Sequence, residues 1–453
     1  MKHIHFLVCA ILLLISGRLT AQQGSLDGSF ADHGMGIYHI PLDNQSAESE
    51  FSVMQPDGKI IMGGFLNNSY IYLTRLNTNG TFDNSYGGDG KILFTTDGLS
   101  SRYLCGAMQA DGKLVIGATA ASHFLILRFN MNGTADNSFD ADGKATIAVD
   151  AASDFAKAIA IQPDNKIVIA GMSGIAENYY YSVLRLNSNG SLDNSFDADG
   201  KTFFTVSPAG YDEAAAITIN SGKMILTGYS RNTGDFDFSV VRLNNDGSMD
   251  AGFDGDGKLL LPVQPGSDDR PTDIAVNGNN KILICGYSED ATEDFIVVRL
   301  NTDGSIDDGF DVDGKAIIHV SDDRDYAYRL VVQPDNKVLV AGNTTLVSRD
   351  VDYSIVRINN NGTLDNNFDG DGIKIFTIMA NGNDRCTGLQ LLPNGEILIT
   401  GNSYSNVVDV AEYYNYSAAL LNSNGNFDNS FDSDGKLLID PGTIDDAANA
   451  VII

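Results

Sequence analysis

Three sets of residues in this chain have types and spacings that do chemistry. The first is a series of acids inside a recurring twelve-residue phrase, best read at Gly190–Lys201, GSLDNSFDADGK, with close copies beginning at Gly24, Gly80, Gly133, Gly247, Gly304, Gly362 and Gly425. Asp197-Ala198-Asp199-Gly200 reads like the middle of a calcium loop. An EF-hand register from Ser195 puts Val206 where an acidic ligand must stand, and one from Ser138 puts Val149 there, so both fail. A weaker, irregular calcium site needs only two carboxylates and a few carbonyls, and that option stays open. The plainer reading is a tight turn, because Asp, Asn and Ser bond their own backbone and Gly supplies positive φ.

The second set is an arginine in the third apolar run of each repeat: Arg75, Arg128, Arg185, Arg242, Arg299 and Arg357, with Leu420 in its place in the last complete unit. A row of cations can line a ligand groove. The favoured expectation is that each pairs with an acid of the following turn, such as Arg185 with Asp193 or Asp197, and pins turn to strand. The third set is tyrosine between the second and third runs: Tyr179, Tyr180 and Tyr181 in one repeat, Tyr413, Tyr414 and Tyr416 in another. Insertions in repeat proteins map to loops on one face, often the binding face. Tyrosine suits recognition there, and suits a core cap between units equally well. Catalysis finds little support. His33, His39, His123 and His319 lie far apart at unmatched repeat positions, without zinc spacing. No Gly-x-Ser-x-Gly elbow or phosphate loop is present.

These residues sit on a repeat. The aromatic of the phrase falls at Phe30, Tyr86, Phe139, Phe196, Phe253, Phe310, Phe368 and Phe431, at spacings of 53 to 63 residues. A fixed period of this length signals a solenoid, propeller or array. The unit from Ala156 to Val206 contains four short runs: Ala156–Gln162, Lys166–Met172, Tyr181–Leu186 and Lys201–Val206. Each is rich in apolar or β-branched residues and bounded by Gly, Pro, Asn or Asp, which is the strand signature. Four short strands per unit, repeated radially, predict an all-β propeller whose blades are covered on both faces.

QPDGKIIMGG (Gln55–Gly64), VVRLNNDGSMD (Val240–Asp250) and GSLDNSFDADGK resemble the delta-60 repeat, a bacterial β-propeller family of unknown function. The resemblance covers nearly the whole chain after residue 21. It implies a propeller on a secreted or surface-exposed protein and implies no catalytic residues. The chain departs from the family where Asp140, Asp197, Asp254 and Asp311 directly follow the aromatic, a place where the family often has Gly.

Residues 1–21 read as a secretory signal peptide, with Lys2, an apolar run from Phe6 to Ile15 and cleavage after Ala21. Residues 22–453 read as the propeller. Removing Lys2 and Arg18 leaves 27 Lys and Arg against 59 acids, a net charge of −32. That balance excludes nucleic acid and anionic membrane surfaces as partners. No further stretch is apolar enough for membrane insertion. The remaining Cys105, Cys285 and Cys386 are too few for a disulfide framework and read as buried thiols. Seven complete units are flanked by a lone fourth-type strand, Met35–Ile40, and a lone first-type strand, Ala447–Ile453. A ring of seven or eight blades fits, and the opening strand is expected to complete the last blade. The chain stops where a QPDGK-like turn should follow, which reads as a truncated frame. The functional expectation is a secreted or cell-surface, non-catalytic binding module for a glycan or protein. It would be a monomer or part of a larger surface polypeptide, needing no cofactor or metal. The alternatives are a rigid spacer, or a glycan-active enzyme with carboxylates gathered around the channel.

Overall fold

The computed structural model describes residues 47–439, except 67–69, 96–98, 100–102, 150–152, 176–177, 209, 290–292, 347–349, 380–381 and 406–413. The expected signal peptide, Met35–Ile40 and Ala447–Ile453 lie outside the described residues. Among those described, 28 strands and no helix form seven four-stranded antiparallel sheets. In the third, Ser153–Ile161, Ile167–Ile175, Asn178–Leu186 and Lys201–Phe204 follow one another from the inside outward. The other six sheets repeat this order.

Seven apolar clusters hold the ring, one between each neighbouring pair of blades. A lone blade would leave residues such as Val168 and Ile169 wet. Against its neighbours each is fully buried, worth about 1.5–3 kcal/mol apiece. The cluster between the seventh and first blades contains Met62, Tyr72, Leu398 and Tyr416. The Tyr416 hydroxyl donates to the Tyr72 carbonyl at 3.0 Å, and the Asn402 amide brackets Ser49, accepting from its N–H and donating to its carbonyl. The seventh complete unit therefore packs directly on the first, and the ring closes with seven blades. The borrowed strand expected at closure is corrected: Lys436–Ile439, from the seventh unit itself, is the outer strand of that sheet.

Burial differs between strands. Second and third strands are almost wholly buried, as in Leu114–Ala120. First strands alternate, as in Ala47–Met54, because one face looks into the central channel. Six of these inner strands carry a bulge at one shared position, which skips Glu50, Lys157, Ala215, Thr272, Tyr328 and Thr387 from the ladder. A bulged residue has no partner in the ladder and re-aims its side chain.

The turn phrase links the blades. After each aromatic the backbone enters the left-handed region, with φ 47° at Asp197 and 68° at Ala198. Asp tolerates that region, so Asp can stand at this place in six repeats where Gly87 stands in the first. The turned N–H of Asp197 then donates to the Asp246 carbonyl of the next blade at 2.8 Å. Phe196 lies flat against Gly247, where an added Cβ would sit 3.1 Å from the ring. The seam between blades seven and one repeats both contacts, with Asp432 on the Asn79 carbonyl at 3.4 Å and Phe431 against Gly80.

Candidate functional site

The two faces of the ring differ in how far the blades agree. One face carries the turn from first to second strand and the twelve-residue phrase. There the same side chains recur and satisfy each other. Arg185 donates through Nε to Asp193 Oδ2 at 2.7 Å, and Lys166 reaches the same oxygen at 2.9 Å. Asp193 also accepts from the Ser195 N–H and hydroxyl, and the guanidinium stacks over Phe196. The expected pairing of arginine with the turn thus holds, and Asp193 rather than Asp197 is the partner. A further contact has no sequence signature: Arg185 also donates to the Asn245 carbonyl of the next blade. Arg75, Arg128, Arg242, Arg299 and Arg357 reach across in the same way. Burial opposes ionisation of Asp193, but the hydrogen bonds from Lys166 and Ser195 and the field of Arg185 hold its carboxyl well below the usual range. Asp199 accepts from the Lys201 N–H at 3.0 Å, as a turn former does. Among the described residues no three His, Cys, Asp or Glu side chains gather as a metal-holding group.

A second recurring acid escaped the sequence reading. Asp154, Asp212, Asp269, Asp325 and Asp384 are fully buried near the start of first strands. They accept backbone N–H groups of the incoming connection, such as Val149 onto Asp154 and Ile378 onto Asp384. Their spacing of 56 to 59 residues was readable, but attention to the turn phrase hid it.

The opposite face carries the loops between second and third strands and the connections between blades. Here the blades differ. Near the mouth of the channel the inner strands present, in turn, Glu48, Phe155, Glu213, Arg270, Tyr326 and Arg385. Around them aromatic rings meet at blade junctions. Tyr211 contacts Tyr179, Tyr229 and Phe236 at centroid distances of 5.2 to 6.3 Å. Arg270 lies 4.3 Å over both Tyr229 and Phe236, with Asp268 and Glu289 as its ion-pair partners. Tyr287, Tyr326 and Tyr328 form a second group, and Tyr404 packs on Tyr414. The predicted tyrosines therefore divide. Tyr179, Tyr180 and Tyr414 are half-buried on this face. Tyr181 and Tyr416 are core residues, fully buried, and the Tyr181 hydroxyl is 2.7 Å from that of Ser239. Tyr413 lies outside the described residues.

At the level of the bulges is a cavity of about 190 Å³, lined from the first strand of every blade. Four charged residues enter it, from blades one, three, five and six: Glu50, Lys157, Asp273 and Arg329. Lys157 pairs with Glu213 at 2.5 Å and lies 3.0 Å over the Tyr103 ring. Asp273 accepts from the N–H groups of Ile274 and Leu330. Arg329 donates to the carbonyls of Tyr328 at 2.9 Å and Glu50 at 3.4 Å. Burial, reinforced by Glu48, pushes the Glu50 carboxyl up to about 8 against the opposing fields of Arg329 and Lys157. Burial raises Asp273 as well, against the pull of Arg329. Cys105, Cys285 and Cys386 are buried free thiols, as expected, and burial lifts Cys105 and Cys386 to about 12. The histidines stay apart: His123 of the second blade stands 3.6 Å from Asp154 of the third, and His319 2.7 Å from Asp294 within the fifth. His33 and His39 lie outside the described residues.

These features define a seven-bladed β-propeller with one repetitive and one varied face. Six segments, residues 55–86, 109–139, 162–196, 220–253, 278–310 and 333–368, match the repeat described as a domain of unknown function (DUF5122) beta-propeller. The repeats are thus similar to those of a propeller family without assigned function. No curated protein matches the sequence. Among solved structures, a catalytically inactive virginiamycin B lyase from Staphylococcus aureus with quinupristin is similar at 12% identity, over 81% of this chain and 96% of that one, with a TM-score of 0.48. A protein of unknown function from Dyadobacter fermentans is 11% identical, over 86% and 97%, with a TM-score of 0.44. An ulvan lyase is 12% identical, over 87% and 96%, with a TM-score of 0.43. Likenesses this distant carry no argument about this chain.

Proposed function

We propose that the chain is a secreted or cell-surface binding module of the delta-60 repeat type, engaging an extracellular glycan or protein through the varied face. The observation that carries this reading is the contrast between the faces. A spacer needs only the interlocking turns, which recur from blade to blade. The other face departs from the repeat at Glu48, Phe155, Glu213, Arg270, Tyr326 and Arg385, and an asymmetric ligand requires such departures. Half-buried tyrosines beside arginines offer flat, amphipathic contact area of the kind recognition surfaces use. A glycan array with the purified chain, with and without calcium, tests the reading. Binding lost on Tyr211→Ala and Arg270→Ala but kept in turn-face variants supports it. Absence of any glycan or protein ligand leaves the spacer.

One observation favours the enzyme reading. Glu50 and Asp273 share a concave cavity, and a carboxyl pushed up to about 8 is a competent general acid near neutral pH. Turnover of an array-identified glycan, abolished by Glu50→Gln, would establish it. Binding without turnover rejects it.

A further inference from the structure

Two ionisable side chains lining the channel cavity, Glu50 and Arg329, make no ion pair among the described residues. Lys157 is committed to Glu213 and to the Tyr103 ring, and Asp273 to two backbone N–H groups. The Glu50 carboxyl makes no hydrogen bond or ion pair among the described residues. Among the described residues the Arg329 guanidinium hydrogen-bonds the Tyr328 and Glu50 carbonyls and no carboxylate. Arg329 hydrogen-bonds the backbone of Glu50 rather than its side chain, and acts on the carboxyl only through its field. Ile159, Ile217 and Leu389 add aliphatic lining. The cavity of about 190 Å³ corresponds to the liquid volume of about six waters, the scale of a small solute.

We propose that this cavity binds a small zwitterion with the chemistry of a free α-amino acid, its carboxylate on Arg329 and its ammonium on Glu50. An ion taken out of water is tolerated only when paired and hydrogen-bonded. A zwitterion brings Arg329 a carboxylate and brings Glu50, once its proton is lost, an ammonium, and its side chain lies on the aliphatic wall. A simple anion would leave Glu50 without a partner, and a simple amine would leave Arg329 so. The groups whose charge acts on Glu50 are Glu48 on its own strand, Lys157 from the third blade and Arg329 from the sixth. In the free protein the Glu50 carboxyl holds its proton at pH 7. An incoming ammonium ionises it, so binding releases a proton. The inference rests on the varied face being the binding face, but the ligand is separate from any glycan held at the tyrosine rim.

The test is calorimetric titration of the purified chain with the twenty common α-amino acids, with acetate and methylamine as single-charge probes, in two buffers of different ionisation enthalpy. The expected result is binding of at least one amino acid, at least tenfold tighter than either probe. A net release of protons is expected at pH 7, because burial raises the Glu50 carboxyl in the free protein. Glu50→Gln and Arg329→Gln should each weaken binding at least tenfold, and Glu50→Gln should abolish the release. Carbon-13 NMR of the wild-type glutamate carboxyls reads the same event without a variant, as a resonance that titrates near 8 and drops on saturation. No heat with any amino acid, acetate binding as tightly as the amino acid, or affinity unchanged in both variants would each overturn the proposal. Glycan binding that survives Arg329→Gln while every amino acid fails removes this inference alone. Loss of both ligands removes the binding-face reading with it.

Discussion

Replacing Arg185 with Leu probes the contact that joins blades three and four. The side chain is 1% exposed. It donates to Asp193, Ser195 and Gln162 within its own blade and to the carbonyl and side-chain oxygen of Asn245 in the next. Breaking a buried pair costs about 3–5 kcal/mol when the surviving charge is stranded. Asp193 keeps Lys166 at 2.9 Å, so the carboxylate is only partly stranded. The Asn245 carbonyl, however, loses a charged donor, worth about 1.5–3 kcal/mol. Together these give an expected loss of about 3 kcal/mol. Leucine is a fair replacement, since Leu420 occupies the equivalent place in the seventh blade. The chain has no tryptophan and 18 tyrosines, so urea unfolding is followed by far-ultraviolet circular dichroism and tyrosine fluorescence. Hydrogen exchange locates the effect. The Asp197 amide, bonded to Asp246 across the junction at 2.8 Å, should exchange about 150-fold faster for 3 kcal/mol lost locally. A loss under about 1 kcal/mol, or faster exchange spread evenly over all seven blades, would refute the inter-blade role.

Other outcomes follow from the same contacts. The seventh blade has Leu420 for the arginine and Glu396 for the lysine, leaving Asp428 without either cation. The double substitution Leu420→Arg with Glu396→Lys should therefore raise stability by about 1–2 kcal/mol in urea titration, with slower exchange confined to the seventh and first blades. Val312 is β-branched, 89% exposed and held at φ 71°, so Val312→Gly should stabilise by about 0.5–1 kcal/mol, read from the urea midpoint. Asp83, Asp136, Asp193, Asp250, Asp307 and Asp365 are all held below the ordinary carboxylate range. A depressed acid contributes stability above its unfolded value and loses it as pH falls toward its folded value. The wild type should thus lose stability steadily below about pH 4, and Arg185→Leu should flatten that slope. Glu50 has the opposite sign. Its folded carboxyl stays protonated up to about 8, so the wild type should lose stability relative to Glu50→Gln as pH rises from about 4.5 to about 8, with no further change above. Chemical denaturation across that range checks it.

The fold was readable because each unit repeats its punctuation, and Gly, Asp and Asn at fixed offsets leave few conformations open. The Arg185–Asp193 pair was readable for the same reason, being eight residues apart across one turn. The reach of Arg185 to Asn245 was not, because it depends on how one blade leans on the next. Ring number was obscured by Met35–Ile40, whose pattern matches a fourth strand as well as Lys436–Ile439 does; packing of Tyr416 on Tyr72 decides for seven. Tyr181 and Tyr179 look alike in sequence and meet the same neighbouring blade; depth along the strand from its exposed start at Asn178 sends one to the core and leaves the other half-buried. The channel residues had one available signal. Glu50, Lys157, Ala215, Thr272 and Tyr328 occupy one register position and share no chemistry.

That position is skipped by the ladder in six blades, so its side chain bears no share of the sheet's hydrogen bonding. Exchanging Ala215, Thr387 or Lys157 for another residue leaves the strand pairing intact. The propeller therefore resembles a socket board with an interchangeable pin in six of its blades, and the lining of its channel is rewritable, by evolution or by an engineer, without redesigning the frame that carries it.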